Sequence, residues 1–206
     1  MKRFLRRYTD IPALIYLLRQ RKITLLNPGT WEDKNDTHYL SIYKRRKSLK
    51  SLLCLCFTGA SETFHHWRVY ANGSSGVCIR FDRVKLVKAL AKHGLTVKAV
   101  RYLTLVDNRK NSLRLEELPF SKRVGYIDEN EFRVIYESTS ITEKSFDVAI
   151  PLSCINRITL SPSIHLTLKN ELKKVIAEIV RPESLEVVRS TLISNKEWKN
   201  IGERAK

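Results

Sequence analysis

The sequence predicts one α+β domain, in which strands and helices follow each other without the regular strand–helix–strand repeat of a parallel sheet. Three observations favour this class. The chain has 206 residues, a length typical of a single domain spanning 1–206. Apolar residues make up 43% of it and charged residues 29%, as in folded globular proteins, which excludes an intrinsically disordered chain. Short strand-like runs and capped helical patterns also alternate irregularly along it.

Capping and turn residues divide the first half of the chain into short elements. Asp10 is expected to cap a helix, Ser61 to cap another that ends before Gly73, and Gly94 to end a third. A polar loop is expected at 31–36, followed by a basic helical stretch to Lys50. The expected strands are 4–9, 22–26, 52–58 and 77–81, and the other two expected helices are 11–21 and 83–93.

The second half of the chain is predicted to contain more strands than helices. The expected strands are 96–103, 131–136, 148–152, 155–160 and 185–193. A helix is expected from about 164 to 179, opened by Ser161-Pro162-Ser163. The polar residues 107–125 are expected to be irregular, with at most a short helix.

The charge of the chain indicates a polyanionic partner. It carries 38 basic and 21 acidic residues, a formal net charge of +17, and residues 1–50 hold 13 of the basic and only 4 of the acidic ones. An excess of this size attracts nucleic acid above all. Lys44, Arg45, Arg46 and Lys47 form the densest basic run, so we predict them as nucleic-acid-binding residues; the alternative is a solvated helix face.

Several classes of protein find no support in the sequence. Gly-rich phosphate loops, G-x-S-x-G and H-E-x-x-H are absent, which argues against the common nucleotide folds and hydrolases. The apolar runs are too short for a transmembrane helix and the N-terminus lacks a signal-peptide core, so we expect a cytoplasmic protein without a membrane partner. Cys54, Cys56, Cys78 and Cys154 are expected as reduced thiols, and their spacing to His65-His66 matches no usual zinc pattern, so no metal site is expected.

Five short motifs occur in order along the first two thirds of the chain. They are Pro28-x-x-Trp31-x-Asp33, Cys56-Phe57-Thr58, Trp67-x-x-Tyr70-Ala71, Gly76-Val77-Cys78-Ile79-Arg80-Phe81-Asp82 and Glu129-x-Glu131-Phe132-Arg133. Together they resemble a widespread bacterial and phage-associated family of unknown function, over residues 4 to about 136. That family is in turn similar to the ADP-ribosyltransferase superfamily, in its arginine–serine–glutamate class.

The resemblance implies an ADP-ribosyltransferase-like fold of mixed, mainly antiparallel sheets with flanking helices, and NAD as co-substrate. A basic residue on the first strand would hold NAD, here Arg7 with Arg6 as its rival, and Thr58 would stand for the Ser-Thr-Ser element. Because neighbouring residues of a strand point to opposite faces, only one of the two arginines is expected in the cleft. The other implied cofactor-binding residues are Tyr8, Trp67 and Tyr70, of which Trp67 and Tyr70 could stack on nicotinamide or a base.

The implied chemistry accounts for two glutamates. Cleavage of the nicotinamide–ribose bond builds positive charge on the ribose, and a carboxylate can stabilise that charge. Glu131 is our candidate for this catalytic role. Glu129 is expected on the same side of an extended chain, where it could deprotonate the incoming nucleophile. From spacing alone, Glu-x-Glu before a strand is more typical of a solvated sheet edge.

Other candidates have structural interpretations that stay open at this point. Trp67 and Tyr70, at positions i and i+3 of a helix, are more typical of a core stripe than of a ligand contact. Asp33 and Asp36 are expected to cap a turn. His65-His66 are expected to be structural or exposed.

The resemblance and the charge together predict an NAD-dependent mono-ADP-ribosyltransferase that modifies RNA or DNA. Such an enzyme would be the toxin of a phage-defence or toxin–antitoxin system, with an antitoxin or chaperone partner. The first alternative is a non-enzymatic basic module that binds nucleic acid, which explains the charge but not the glutamates. The second is a nuclease that uses Glu129, Glu131 and His65. Protein also remains open as the acceptor.

Overall fold

The computed structural model describes residues 3–71, 73–110 and 112–205 and confirms the α+β class. The strands in these ranges are β1 (Phe4–Asp10), β2 (Lys22–Leu26), β3 (Ser51–Thr58), β4 (Gly76–Asp82), β5 (Thr96–Ala99), β6 (Arg101–Leu103), β7 (Ser121–Arg123), β8 (Glu131–Ser138), β9 (Ser145–Ala149), β10 (Ile155–Leu160) and β11 (Glu186–Arg189). The helices are α1 (Ile11–Gln20), α2 (Lys34–Arg46), α3 (Phe64–Tyr70), α4 (Arg83–Ala91), α5 (Leu105–Lys110), α6 (Leu166–Val180) and α7 (Lys196–Glu203).

Nine of the strands form one sheet, and the helices flank it. The strand order is β11-β10-β4-β1-β3-β2-β9, with β8 also paired to β3 and β5 paired to β8. The pairs of this sheet are antiparallel except β10 with β11, so the prediction of a mainly antiparallel sheet is confirmed. β6 and β7 form a separate parallel pair. No helix within the described ranges is long and apolar enough to cross a membrane.

The sheet is almost divided along one edge of β3. On its other edge β3 pairs with β8 through all of Ser51–Thr58. On the divided edge it pairs with β1 only opposite Thr58 and with β2 only opposite Cys54. Between these two positions the described strands leave that edge of β3 without a ladder partner, and a cleft opens there.

A large apolar core fixes which way the strands face. Leu5 of β1 and Ile79 and Phe81 of β4 point into it and are at most 1% exposed. Because strand side chains alternate, Arg6 and Arg80 between them point to the opposite face of the sheet. The capped helix α1 packs Leu14, Leu17 and Leu18 into the same core, as its apolar spacing predicts.

Two helices begin at positions that differ from the prediction. The polar loop expected at 31–36 ends early, because the side chain of Asp33 accepts backbone N–H bonds and caps α2. The helix expected from Ser61 begins only at Phe64, because Thr63 supplies the cap. The polar residues before each helix were recognised correctly as a signal, but three positions could have served as the cap.

Three strand predictions in the second half are wrong in extent. The run 96–103 is two strands, because the backbone N–H of Val100 bonds to the carbonyl of Glu131 at 2.9 Å and β6 then pairs with β7. The strand expected at 148–152 lies earlier, as β9, where it can pair with β2. The strand expected at 185–193 ends at Arg189, where its parallel partner β10 ends. Helix α7 has no counterpart in the sequence prediction, whereas residues 107–125 hold a short helical turn as expected.

The backbone around the two glutamates differs from the extended chain that was expected. Glu129 ends a 3-10 helix, Val124–Glu129, and Glu131 begins β8. Asn130 between them adopts the left-handed conformation, with φ 43° and ψ 51°. Asparagine tolerates this conformation better than most residues that carry a Cβ. The turn at Asn130 therefore sets the relative position of the two carboxylates.

We predict that Asn130→Val lowers the free energy of unfolding by about 1–2 kcal/mol, since a β-branched residue is strained at positive φ. Asn130→Gly should change it by only a few tenths of a kcal/mol, because glycine adopts this conformation readily. Urea unfolding of the two variants measures both values. Equal stability of the valine and glycine variants would contradict the left-handed turn.

Candidate active site

A cavity of about 540 Å³ lies in the cleft beside β3. Its walls come from β1, β2, β3, the segment that leads into α2, the helix α3, and the segment before β8. The predicted site residues that line it are Arg6, Arg7, Tyr8, Thr58, Tyr70, Glu129 and Glu131. Its volume is within the range of small-molecule binding sites.

Three predicted residues lie in one straight line across the sheet. Arg6 of β1 is directly opposite Thr58 of β3, and Thr58 is directly opposite Glu131 of β8. Directly opposed residues of antiparallel strands carry their side chains on the same face, with Cβ atoms about 5 Å apart. The sheet register therefore brings an arginine, a threonine and a glutamate from three distant parts of the sequence to one face of the cleft.

Both neighbouring arginines line the cavity, so the expectation that only one would do so is wrong. Arg6 donates to the carbonyl of Ala60 at 2.7 Å, on the face of Glu131. Arg7 belongs to the opposite face of β1, but its guanidinium turns into the gap beside β3 and donates to the carbonyl of Cys56 at 3.1 Å. That carbonyl accepts a side chain because β1 has already separated from β3 there. Burial lowers the pKa of Arg7.

A buried arginine holds the floor of the site. Arg133 is 0% exposed and its guanidinium donates to both carboxylate oxygens of Asp36, at 2.8 and 2.7 Å. The same guanidinium donates to both oxygens of Glu131, at 2.7 and 3.1 Å, and to the carbonyl of Pro119 at 2.8 Å. It also lies over the ring of Trp31, 5.1 Å from the centroid. Paired, bidentate contacts of this kind are what a fully buried arginine requires.

A lysine joins the second glutamate to this cluster. The ammonium of Lys122 lies 2.6 Å from Glu129 and 3.5 Å from Glu131, with Asp36 at 3.8 Å. Tyr70 donates to the other carboxylate oxygen of Glu129 at 2.6 Å. Glu129 and Glu131 are only 9% and 5% exposed, so the solvated sheet edge that spacing alone suggests is wrong.

The two glutamates have opposite electrostatic environments. Burial by itself would raise the pKa of Glu131, but the charges of Arg133 and Lys122 and their hydrogen bonds outweigh it and lower that pKa to about 2. Burial raises the pKa of Glu129, and its bonds to Lys122 and Tyr70 only partly offset this. Glu131 is thus a permanent anion at neutral pH, whereas Glu129 is closer to exchanging a proton. Such divergent pKa values separate the roles of a charge stabiliser and a general base.

Aromatic side chains from β1 and α3 form one wall. Tyr8 stacks on His66 at 5.3 Å between ring centroids and meets Trp67 edge-on at 5.2 Å. Trp67 is 5% exposed, does not line the cavity, and donates to Glu62 at 2.7 Å, so the structure gives it a packing position behind Tyr8. Tyr70 is 40% exposed at the cavity mouth, where a ring face remains available to a ligand.

The basic run on α2 lies far from the cavity. The N-terminus of α2 reaches the site through Asp36, and Lys44 is eight residues further along the helix. At 1.5 Å per residue this places it about 12 Å away along the helix axis. Arg45, Arg46 and Lys47 are exposed there, and His65 is exposed on α3. The structure therefore does not bring these predicted residues to the glutamates.

Three functional side chains were missed by the sequence prediction. Asp36 is no turn cap but the buried partner of Arg133, 97 residues away in the chain. Lys122 lies in a segment that was expected to be irregular. Arg133 was part of the Glu-x-Glu-Phe-Arg motif, and that position next to the glutamates was the one available signal. Within the described residues, no group of three or more His, Cys, Asp or Glu side chains is arranged to hold a metal ion.

We predict that Arg133→Met lowers the free energy of unfolding by about 3–5 kcal/mol, because Asp36 and Glu131 would lose the cation that balances them inside the protein. The matched control is Arg123→Met, at an exposed arginine, which should stay within about 0.5 kcal/mol. Thermal and urea unfolding measure the difference. Similar stability of the two variants would show that the buried cluster is not a constraint on the fold.

A second prediction concerns acid stability. The pKa of Glu131 falls from 4.5 to about 2 in the folded chain, so its contribution is present above pH 4.5 and is lost as the pH falls towards 2. Between pH 6 and pH 3 the unmodified protein should therefore lose about 2 kcal/mol more stability than Glu131→Gln. Urea unfolding at the two pH values gives both losses, and equal losses would contradict the low pKa.

Comparison with known proteins gives a partial family match. Residues 66–134, about a third of the chain, match the family described as "Protein of unknown function (DUF2971)". The matched segment runs from α3 into β8 and contains Tyr70, Lys122 and both glutamates, whereas Arg6 and Thr58 lie outside it. No curated protein matches the chain.

Among solved structures, complexes of DarT from Thermus sp. 2.9 align with most of this chain. The complexes with ADP-ribosylated ssDNA and with NAD+ both give a TM-score of 0.46, at 13% and 14% identity, and the complex with carba-NAD+ gives 0.44 at 14%. The alignments cover 96% of this chain and 96–97% of the other. Scores this low carry no argument about function, so any assignment depends on the residues of the cavity.

Proposed function

We propose that this chain is an NAD-dependent mono-ADP-ribosyltransferase that modifies nucleic acid. The observation that carries the proposal is the line Arg6–Thr58–Glu131, in register across β1, β3 and β8 and facing one cavity. These residue types, in this chain order, are those that the resemblance to the arginine–serine–glutamate class implies. The sheet register also favours Arg6 over Arg7 as the first member, because Arg6 shares the face of Glu131.

The residues of the cavity fit NAD as a substrate. Guanidinium groups bind diphosphate oxygens in a bidentate manner, and Arg6 retains donors beyond the one that it gives to Ala60. Thr58 donates to the carbonyl of Glu129 at 2.5 Å, which fixes the strand end next to the carboxylates. Tyr70 offers an aromatic face at the cavity mouth for nicotinamide or for a base.

The two carboxylates divide the reaction between them. The bond between ribose and nicotinamide breaks, its electron pair leaves with nicotinamide, and the ribose carbon forms a new bond to an oxygen or nitrogen of the acceptor. Glu131, held as an anion by Arg133, stabilises the positive charge that develops on the ribose. Glu129 accepts the proton that the acceptor loses and later releases it to water.

The charge supports nucleic acid as the acceptor. A net charge of +17 raises the local concentration of polyanions around the chain. An enzyme that modifies nucleic acid in this way would harm its own cell. We therefore also propose that the chain acts in the cytoplasm as the toxin of a phage-defence or toxin–antitoxin system, restrained by an antitoxin or chaperone.

Labelled NAD, incubated with the purified chain and separate pools of RNA, DNA and protein, tests the proposal. We expect the label to pass to a nucleic-acid pool, with release of one nicotinamide per label transferred. Transfer to the protein pool alone would overturn the acceptor. No transfer and no nicotinamide release would overturn the enzyme and favour a basic module that only binds nucleic acid.

We predict that Glu131→Gln lowers the turnover number by two orders of magnitude or more, about 3 kcal/mol, since glutamine keeps the shape but loses the charge. NAD affinity should change little, because the charge on the ribose develops only in the transition state. Glu129→Gln should impair transfer to the acceptor more than release of nicotinamide to water. Steady-state rates and calorimetric NAD titration measure these effects.

The matched control is Glu116→Gln, at an exposed glutamate outside the cavity, which should leave the rates unchanged. Circular dichroism must show that both site variants fold. A folded Glu131→Gln protein with full turnover would contradict the transferase assignment.

A further inference from the structure

Three arginines form a row that continues the line of the candidate site. Arg80 of β4 is directly opposite Arg6 of β1 and, on its other side, directly opposite Arg157 of β10. Since Arg6 is also opposite Thr58 and in line with Glu131, the arginines share one face of the sheet with the catalytic glutamate. Adjacent strands are about 4.8 Å apart, so the row leads about 10 Å outward from Arg6.

This arrangement is unfavourable unless an anion binds to it. Like charges directly opposite each other on neighbouring strands destabilise a sheet. Arg80 donates to the side-chain oxygen of Asn156 and Arg6 to the carbonyl of Ala60, and both acceptors are neutral. Burial lowers the pKa of Arg80, and the charges of Arg157 and Arg6 lower it further.

One carboxylate reaches the row in the described part of the chain. Glu186 lies 3.6 Å from Arg157, at the outer end of the row and away from the cavity. No described carboxylate forms a salt bridge with Arg6 or Arg80, and the side-chain Nε of Arg157 is buried without a hydrogen-bond partner. The inner part of the row therefore has positive charge that the fold does not neutralise.

We propose that Arg80 and Arg157 bind the phosphodiester backbone of a single-stranded nucleic acid and lead its acceptor nucleotide towards Glu131. This assignment rests on the proposed function for the identity of the acceptor, but not for the binding itself. Arg80 and Arg157 do not line the cavity, whereas Arg6 and Arg7 do, so the cavity already contains two guanidinium groups for the two phosphates of NAD. A polymer with repeating phosphates accounts for further arginines outside it.

An aromatic ring within the row also fits a single strand. Phe4 lies on the same face of β1, and the guanidinium carbons of Arg3 and Arg80 lie 5.1 and 4.7 Å from its centroid. Aromatic rings interleaved with arginines are typical of surfaces that bind single strands, where bases stack and phosphates are neutralised.

The depth of the catalytic glutamate favours a single strand over a duplex. Glu131 is 5% exposed, at the bottom of the cavity. A base inside a duplex cannot reach such a residue without leaving its stack, and a single strand pays the smallest energy for that movement.

The test is the affinity of Arg80→Gln/Arg157→Gln for a fluorescent single-stranded oligonucleotide without NAD. Removing two charge-assisted contacts should weaken binding at least about tenfold at 0.1 M salt. The slope of log K against log salt should become shallower by about 1.4, since each single-strand phosphate contributes about 0.7. Calorimetric NAD affinity should change less than twofold.

Two variants with the same loss of charge serve as comparisons. Lys173→Gln/Lys199→Gln removes exposed lysines from α6 and α7 and should leave the salt slope unchanged. Arg45→Gln/Arg46→Gln removes two charges from the run on α2. If this variant lowers the slope and Arg80→Gln/Arg157→Gln does not, the polyanion lies along α2 and the proposal is overturned.

Stability and NAD binding separate the remaining explanations. Loss of like-charge repulsion should leave the melting temperature of Arg80→Gln/Arg157→Gln unchanged or higher; a fall of several degrees would assign the row a structural role. A loss of NAD affinity would assign it to NAD. Glu131→Gln should bind the oligonucleotide normally, so a failed transferase assay and a failed binding surface are distinguishable.

Discussion

The burial of Arg133 is the constraint on which the candidate site depends. A guanidinium that is 0% exposed needs carboxylates around it, and Asp36 and Glu131 supply them from α2 and β8. These contacts fix the start of α2 against the sheet and orient the carboxylate of Glu131 beside the cavity. Its low pKa follows directly, because ionisation of Glu131 balances the buried cation. A single structural ion cluster thereby makes a permanent anion at the place where the proposed reaction needs one.

The divided sheet gives this anion a space in which to act. If β1 paired with β3 along its whole length, backbone hydrogen bonds would close the cleft and the cavity would not exist. Pairing only opposite Thr58 leaves Arg6, Thr58 and Glu131 in register while the strands separate beside them. The turn at Asn130 then places Glu129 close to Lys122 but outside the reach of Arg133's fork, which gives the two glutamates different protonation behaviour.

The sequence predicted the fold class, most of the strands and the chain positions that face the cavity. Strand alternation and short ordered motifs identify Arg6, Thr58 and Glu131 because each lies at a strand end with a recognisable local pattern. Asp36 and Lys122 could not be found in this way, since their importance arises from partners far away in the chain. The basic run on α2 shows the opposite limit: its charge is evident from the sequence, but only the length of the helix shows that it lies away from the cavity. The arginine row needed the register of β1, β4 and β10, which no local pattern contains.

A crystal structure of the chain with an NAD analogue that cannot lose nicotinamide tests the central claim most directly. The account predicts the analogue in the cavity beside β3, with the 2′-hydroxyl of its ribose at hydrogen-bond distance, about 2.6–3.2 Å, from the carboxylate of Glu131. It also predicts a diphosphate oxygen on the guanidinium of Arg6. An analogue bound outside this cavity, or bound in it with the ribose turned away from Glu131, would contradict the claim that the register of Arg6, Thr58 and Glu131 forms the site of ADP-ribose transfer.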